Sequence, residues 1–271
     1  MVLVFVGVWG FLIRDAVFGR IEGTFKPALV PKEYTSLANF LESETSFSRV
    51  LWLPTHQRFG YYSNTHPAIA ATEFFHTSSP SALLGLLKAP KVQQVLRESA
   101  VKYIVVPSDV RGEIFLRDRK YSESLHSFYL LQIQTVPGLL AFSRFGDIVV
   151  YKLPNSLPRF WILDNNDATL KITKLSPTDY LVHIEGVSKG DTVVFSESYS
   201  RFWRVEEEGV VTPTSQYKKL FNRYQIRRDG VVTLHFTNVL DKGVFVGTII
   251  SIISLFGVVT LFIISTSKKI L

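Results

Sequence analysis

Tyr180-Leu181-Val182-His183-Ile184-Glu185 and Val232-Thr233-Leu234-His235-Phe236-Thr237 decide the fold of the second half of the chain. Tyr180, Val182 and Ile184 alternate with Leu181, His183 and Glu185, and Val232, Leu234 and Phe236 alternate with Thr233, His235 and Thr237. This period of two is that of a strand with one buried face. Ser188-Lys189-Gly190-Asp191 stands before the apolar run Thr192 to Ser196, and Asp229-Gly230 separates Tyr224 to Arg227 from Val231. Both read as hairpin turns. An antiparallel β-sandwich of about seven strands is expected over 156–242. Trp203 and Tyr199, which follow an apolar strand and carry large apolar area, are expected to anchor its core rather than touch a ligand.

Towards the N-terminus the pattern changes. Pro31-Lys32-Glu33-Tyr34 opens a helical spacing of Tyr34, Leu37, Ala38 and Leu41, and Val50-Leu51-Trp52-Leu53 is a short apolar run stopped by Pro54. After a polar and aromatic loop through His66 and Pro67, helices are expected around Ser81 to Leu87 and Lys91 to Ser99. Tyr103-Ile104-Val105-Val106 then repeats the strand signature, stopped by Pro107. Leu139 to Phe142 and Ile148 to Leu153, separated by Gly146-Asp147, read as a hairpin. Helices alternating with continuous apolar strands imply a small α/β layer with parallel pairing over 31–155.

Towards the C-terminus, Val244 to Ser267 contains no Asp, Glu, Lys, Arg, His or Pro. At 1.5 Å per residue the apolar run to Ile264 spans roughly 30 Å, the thickness of a hydrocarbon core. A transmembrane helix is expected over 243–267. Lys268 and Lys269 follow it, and the positive-inside rule places the tail 268–271 in the cytoplasm and the residues before Gly243 outside it. Gly243, Gly247 and Ser251 fall four apart, on one face where another helix can approach. Met1 to Ile13 is apolar but ends at Arg14-Asp15, too short to span. Residues 1–18 therefore read as a partial transmembrane helix or a signal anchor, and 19–30 as a linker. The fold class is a membrane-anchored α+β protein: an α/β layer, then a β-sandwich, then a C-terminal transmembrane helix.

Composition fits this division. The 271 residues have a mean hydropathy of +0.18 and only 20% charged side chains, too apolar for an ordinary soluble enzyme. No cysteine is present, which excludes disulfides, thiolate zinc sites and a cysteine nucleophile. Lys and Arg number 30 against 23 Asp and Glu, and this surplus favours anionic partners. The six histidines show no metal-ligand spacing, and GxSxG, Walker and GxGxxG motifs are missing. No metal or cofactor is expected.

Two groups of residues are candidate binding sites. In open α/β layers ligands gather outside the carboxyl ends of strands. The loop after Leu53 carries His56 and Arg58, and the loop after Val106 carries Asp109, Arg111 and Glu113. If the two strands are neighbours, this rim can hold a phosphate or sugar hydroxyls, or do acid and base work. The second group is basic and aromatic: Lys218, Lys219, Arg223, Arg227 and Arg228 among Tyr217, Phe221 and Tyr224. Single-stranded nucleic acid would suit such a mixture. An extracytoplasmic position so close to Val244 favours lipid headgroups or lipid-linked phosphate instead, with Lys218, Lys219 and Arg223 as the contacts.

Thr192-Val193-Val194-Phe195-Ser196-Glu197-Ser198-Tyr199, followed by Trp203, resembles the strand-end motif of the YfhO-type bacterial membrane proteins and related GT-C-like polytopic glycosyltransferases. Arg201-Phe202 stands where Pro-Gly is frequent. Asn222, Tyr224 and Ile226 resemble later positions of that region, as do Pro31, Glu33, Tyr34, Tyr103 to Val106, the Gly146 to Tyr151 hairpin and the final helix. The resemblance implies an exported C-terminal region, without the catalytic membrane core, of an enzyme class that transfers sugar from lipid-linked donors. No catalytic residue carries over. The implied function is an extracytoplasmic accessory or acceptor-recognition part of a cell-envelope glycosyltransferase-like protein. Its partners would be the bilayer, a polytopic membrane protein or upstream region, and an envelope glycan or polyprenyl-phosphate lipid. A free-standing anchored envelope protein, or a hydrolase using His56 with Asp109 or Glu113, are the alternatives.

Overall fold

The structure, a computed structural model, describes residues 9–11, 14, 30–55, 63, 65–108, 123–165, 167–240 and 247–256. The chain divides into two compact units, Met1–Pro158 and Arg159–Leu271. The architecture is α+β with mostly antiparallel sheets.

The first unit is a three-layer α/β arrangement. Its elements are α1 (Lys32–Ser43), β1 (Arg49–Trp52), β2 (Ala68–Ala70), α2 (Ala71–Phe74), α3 (Pro80–Lys88), α4 (Pro90–Glu98), β3 (Val101–Val106), α5 (Glu123–Ile133), β4 (Leu140–Phe145) and β5 (Ile148–Lys152). The sheet order is β2-β1-β3-β5-β4, with β2, β1 and β3 parallel and β5 and β4 antiparallel. The continuous apolar runs are explained by burial on both faces. Val50, Trp52, Tyr103, Val105, Ile148 and Val150 meet Tyr34, Leu37 and Leu41 of α1. Leu51, Leu53, Ile104, Val106 and Tyr151 meet Leu83, Leu84 and Leu87 of α3, Leu96 of α4 and Tyr129 and Ile133 of α5. Both α3 and α4 begin on a proline at their first turn, where a missing N–H costs nothing, and Ser79 caps α3 by accepting from Ala82 N.

The second unit is the sandwich, of nine strands rather than about seven: β6 (Phe160–Leu163), β7 (Thr169–Ser176), β8 (Asp179–Val187), β9 (Thr192–Ser198), β10 (Trp203–Glu207), β11 (Val210–Pro213), β12 (Ser215–Tyr217), β13 (Phe221–Gln225) and β14 (Gly230–Asn238). One sheet runs β11-β10-β14-β8-β7 and the other β12-β13-β9-β6. Tyr180, Val182, Ile184, Val232, Leu234 and Phe236 are all buried in the core, as their alternation requires. Trp203 joins them, but Tyr199 is only half-buried and lies outside that core.

The two turns expected to make hairpins do not. β8 and β9, and likewise β13 and β14, lie in different sheets, so Ser188 to Asp191 and Asp229-Gly230 carry the chain across the sandwich. The crossings are fastened to each other: Lys189 N donates to Asp229 Oδ1 at 2.7 Å, Gly190 N to Ile226 O, and Ile226 N to Asp191 O. Gly190 and Gly230 both take positive φ, the conformation that permits the sharp change of direction. At the opposite end, the β9–β10 corner is held by Asn222, which is fully buried. Its Nδ2 donates to Glu197 O at 2.9 Å and Ser198 O at 3.1 Å, and its Oδ1 accepts from Ser200 N and Thr214 Oγ1.

The ten residues 247–256 are helical, and Ile249, Ile250, Ile252, Ile253, Leu255 and Phe256 are exposed on it. Among the described residues no helix is long and apolar enough to cross a membrane. Most of the segment expected to span, 243–267, lies outside the described residues, as do most of 1–18 and 19–30. Gly243 is outside them too. Gly247 and Ser251 are one turn apart, with Ser251 Oγ donating to Gly247 O at 2.9 Å.

Asn222→Ala strands two carbonyls and two donors at the corner and is expected to cost about 3 kcal/mol, read from denaturant unfolding of the full chain. A second expectation concerns pH. His66 is fully buried, and neither ring nitrogen has a hydrogen-bond partner among the described residues. Burial holds its pKa below the ordinary 6.5, while Glu44 acts to raise it and Lys102 to lower it. Glu44 is itself held below 4.5, first by the hydrogen bond from Lys102 and then, against desolvation, by the Lys102 charge and the Tyr103 hydroxyl. The imidazole thus stays neutral in the fold while the unfolded chain takes up its proton. The stability it contributes is present above 6.5 and declines as pH falls below that value, and Glu44's contribution declines below 4.5. The melting temperature of the chain should fall between about pH 7 and 5.5, and His66→Leu should flatten that slope.

Candidate functional site

An open groove of about 620 Å³ lies on the flank of the sandwich, where the two sheets part between β11 and β12. Strand alternation builds it. Along β13, Tyr224 turns into the core, while Arg223 and Gln225 stay exposed. Arg227 follows them, Lys189 and Gly190 come from the β8–β9 crossing, and Thr212, Pro213 and Ser215 come from the switch between β11 and β12. A smaller hollow of about 230 Å³ adjoins it, bounded by Thr192, Ser215, Arg223 and Gln225.

One carboxylate beside the groove is turned away from it. Glu207 is buried, accepting Tyr224 Oη at 2.6 Å on one oxygen and Arg227 N at 3.4 Å on the other. Desolvation, and then the hydrogen bond to Glu207, push the Tyr224 phenol well above its ordinary range. Arg228 forms an ion pair with Glu208. Among the described residues no carboxylate pairs with Lys189, Arg223 or Arg227. Their neighbours are neutral: Arg223 Nε donates to Ser215 Oγ at 3.2 Å, Arg227 to Thr212 Oγ1, and Gln225 Nε2 to Gly190 O at 3.3 Å. Three cations, an amide and hydroxyls thus share one wall with no acid or imidazole in the lining. That is the chemistry of anion binding.

His56, Arg58, Asp109, Arg111 and Glu113 lie outside the described residues. The strands that carry their loops are described: β1 and β3 are adjacent and parallel, with Trp52 paired to Val105, so the two loops leave the same edge of the sheet. Tyr34 Oη lies 3.2 Å from Ser108 Oγ at that edge. The three cations expected to act together are divided. Arg223 belongs to the groove, whereas Lys218 and Lys219 form the tip of the β12–β13 hairpin, roughly 13 Å further along the strand. Sequence reasoning placed Arg227 in the basic and aromatic run but missed Lys189 and Gln225 as its companions. The outward register of Gln225 beside Arg223 was a usable signal. Lys189 had none, because only the sheet crossing brings it there. No group of His, Asp and Glu suited to a metal occurs among the described residues.

No family model matches the chain, and no curated protein matches it. Among solved structures it is similar to the C-terminal globular domain of the oligosaccharyltransferase AfAglB-S2 from Archaeoglobus fulgidus, at 8% identity and a TM-score of 0.27, over 46% of this chain and 99% of that one. A TM-score of that size does not establish a common fold.

Tyr224→Phe removes the hydrogen bond that satisfies a buried carboxylate oxygen. It is expected to destabilise the chain by about 2 kcal/mol in denaturant titrations while leaving the outward cations in place.

Proposed function

We propose that the chain is a membrane-anchored, extracytoplasmic recognition domain, the accessory or acceptor-binding part of a cell-envelope glycosyltransferase-like protein, and that it is not catalytic alone. The observation that carries this reading is the groove: Lys189, Arg223 and Arg227 without a carboxylate partner among the described residues, beside Gln225 and the hydroxyls of Thr212 and Ser215. Such a wall holds an anion and hydrogen-bonds the oxygens around it, as an acidic glycan or a sugar phosphate presents them. The residues that resemble the YfhO-type strand end add the glycosyltransferase setting. The exposed apolar side chains over 247–256, inside the longer apolar run from Val244, support anchoring, with the tail after Lys268 in the cytoplasm. A polytopic membrane partner supplies the chemistry in this reading, and nucleic acid has no part in it.

Full-length chain in nanodiscs should bind oligogalacturonate in a salt-sensitive way and a neutral oligosaccharide of equal length far more weakly. The double variant Arg223→Ala, Arg227→Ala should weaken binding by at least about tenfold, since each lost charge-assisted hydrogen bond is worth about 1.5 kcal/mol or more. Binding untouched by that variant, or sugar transfer from a lipid-linked donor by this chain alone, would sink the proposal.

A further inference from the structure

The groove on the flank has a side chamber, and the two share a wall. Three of the residues that bound the smaller hollow, Ser215, Arg223 and Gln225, line the groove as well, and the hollow adds Thr192 to them. The strand registers fix where it lies. Ser215 is paired with Arg223 across β12 and β13, and Gln225 with Thr192 across β13 and β9. Residues paired directly across a ladder point to the same side of the sheet, and Tyr224, between Arg223 and Gln225, turns into the core. The four side chains therefore stand on the outer face of the sheet β12-β13-β9-β6. Towards β6 this face closes: Val194, opposite Arg223, is fully buried, and Trp161, opposite Val194, is 8% exposed. The hollow is a short extension of the groove over β13 that ends at β9.

Its size and its chemistry differ from those of the groove. Pockets that take small ligands measure about 300–1,000 Å³. The groove, at about 620 Å³, falls inside that range, and the hollow, at about 230 Å³, falls below it. The hollow therefore takes one part of a ligand whose body lies in the groove. Lys189 and Arg227 line the groove alone, so among the described residues Arg223 is the cation of the hollow. Its Nε donates to Ser215 Oγ, which leaves the Ser215 hydroxyl proton and the terminal guanidinium N–H groups to donate. Gln225 spends Nε2 on Gly190 O, and its Oε1 remains as an acceptor. The Thr192 hydroxyl both donates and accepts. An ionised carboxylate only accepts, and in the hollow it would leave Gln225 Oε1 facing another acceptor. A hydroxyl or an amide gives and takes hydrogen bonds and satisfies the whole set.

We propose that the groove reads a glycan of mixed character: an acidic sugar against Lys189, Arg223 and Arg227, and, joined to it, a neutral sugar whose hydroxyl or acetamido group enters the hollow between Thr192 and Gln225. This deepens the anion-binding reading of the groove and rests on it. Thr192 is then a specificity-determining residue, because it meets the neutral unit and stands apart from the cations Lys189 and Arg227 that hold the acid. A chain charged at every unit offers the hollow only acceptors, whereas a chain in which acidic and neutral units alternate fills both chambers. The discrimination comes from the polar atoms that the wrong ligand would leave without partners.

Two probes separate the two chambers. Hyaluronan oligosaccharides alternate glucuronate with N-acetylglucosamine, and oligogalacturonate carries a carboxylate on every unit. Offered to full-length chain in nanodiscs with equal numbers of carboxylates, the hyaluronan oligosaccharide should bind at least about fivefold more tightly, the worth of one neutral hydrogen bond. Thr192→Val, which keeps the outline of the side chain and removes its hydroxyl, and Thr192→Tyr, which fills the hollow, should each bring that ratio below about twofold. The ratio is read within one variant, so a loss of folded protein cancels from it. Equal or reversed affinities in the unaltered chain, or a ratio that either Thr192 variant leaves intact, overturn the mixed-glycan inference while the anion-binding reading stands. Failure of both probes to bind overturns that reading, and this inference with it.

Discussion

Phe160 and Phe195 stack face to face, 4.3 Å between centroids and 2° from parallel, and they are direct partners in the ladder between β6 and β9. The rest of the sandwich depends on this contact. From the facing sheet, Tyr180 and Phe236, themselves a register pair, meet Phe160 edge-on at 5.6 and 4.9 Å, and Trp203 closes on Phe195 at 4.8 Å. Five rings from five strands fix how far apart the sheets stand and which register each ladder takes, since a slip of one residue would turn every ring outwards. Arg159 adds a guanidinium over Tyr180 while its charge pairs with Glu197. The ends of the sandwich, and with them the groove and the surface around Lys218, are positioned by that register.

The same dependence explains what the sequence could and could not disclose. Burial leaves a mark along the chain, so the alternation of Tyr180, Val182 and Ile184, and the unbroken runs Val50 to Leu53 and Tyr103 to Val106, were legible as strands half-buried and buried on both faces. Strand partnership leaves a weaker mark. Ser188-Lys189-Gly190-Asp191 has the residues of a tight turn, and turn chemistry is local. Whether the next strand lies beside the last or across the core is settled by the aromatic contacts between sheets. The helix Glu123–Ile133 escaped notice for a related reason: Leu125, Phe128, Tyr129, Leu130, Leu131 and Ile133 surround it with apolar side chains and leave no clean face for a periodicity to reveal. β2 has three residues, too few for any pattern.

Of the candidate site, the part written within one strand was visible and the part assembled by topology was not. Arg223 and Arg227 lie four apart in a short segment, but Lys189, which lines the same groove, comes from more than thirty positions earlier. The buried Glu207 was equally hidden. Within Glu206-Glu207-Glu208 the three carboxylates look alike in sequence, yet the period of β10 sends only Glu207 inwards to Tyr224 and leaves its neighbours to His235 and Arg228. Withdrawing that one carboxylate from the flank is what leaves the groove cationic.

A distinction follows between residues that carry a resemblance and residues that carry a function. Ser196 to Tyr199 and Asn222 are the positions on which the sequence resemblance was expected to rest, and in the fold they are spent on the corner itself: Asn222 gathers the carbonyls of Glu197 and Ser198 and the amide of Ser200, and Glu197 holds Arg159. Any sandwich that must turn from one sheet to the other at this point meets the same unsatisfied backbone groups and has the same reason to bury an amide there. Residues at such positions therefore answer to backbone geometry, and they would persist if the ligand changed or disappeared. The outward side chains are under no such demand. Arg223 and Gln225 bond only neutral neighbours, Ser215 Oγ and Gly190 O, and with Lys189 they line the groove, so a change of ligand would act on these positions first.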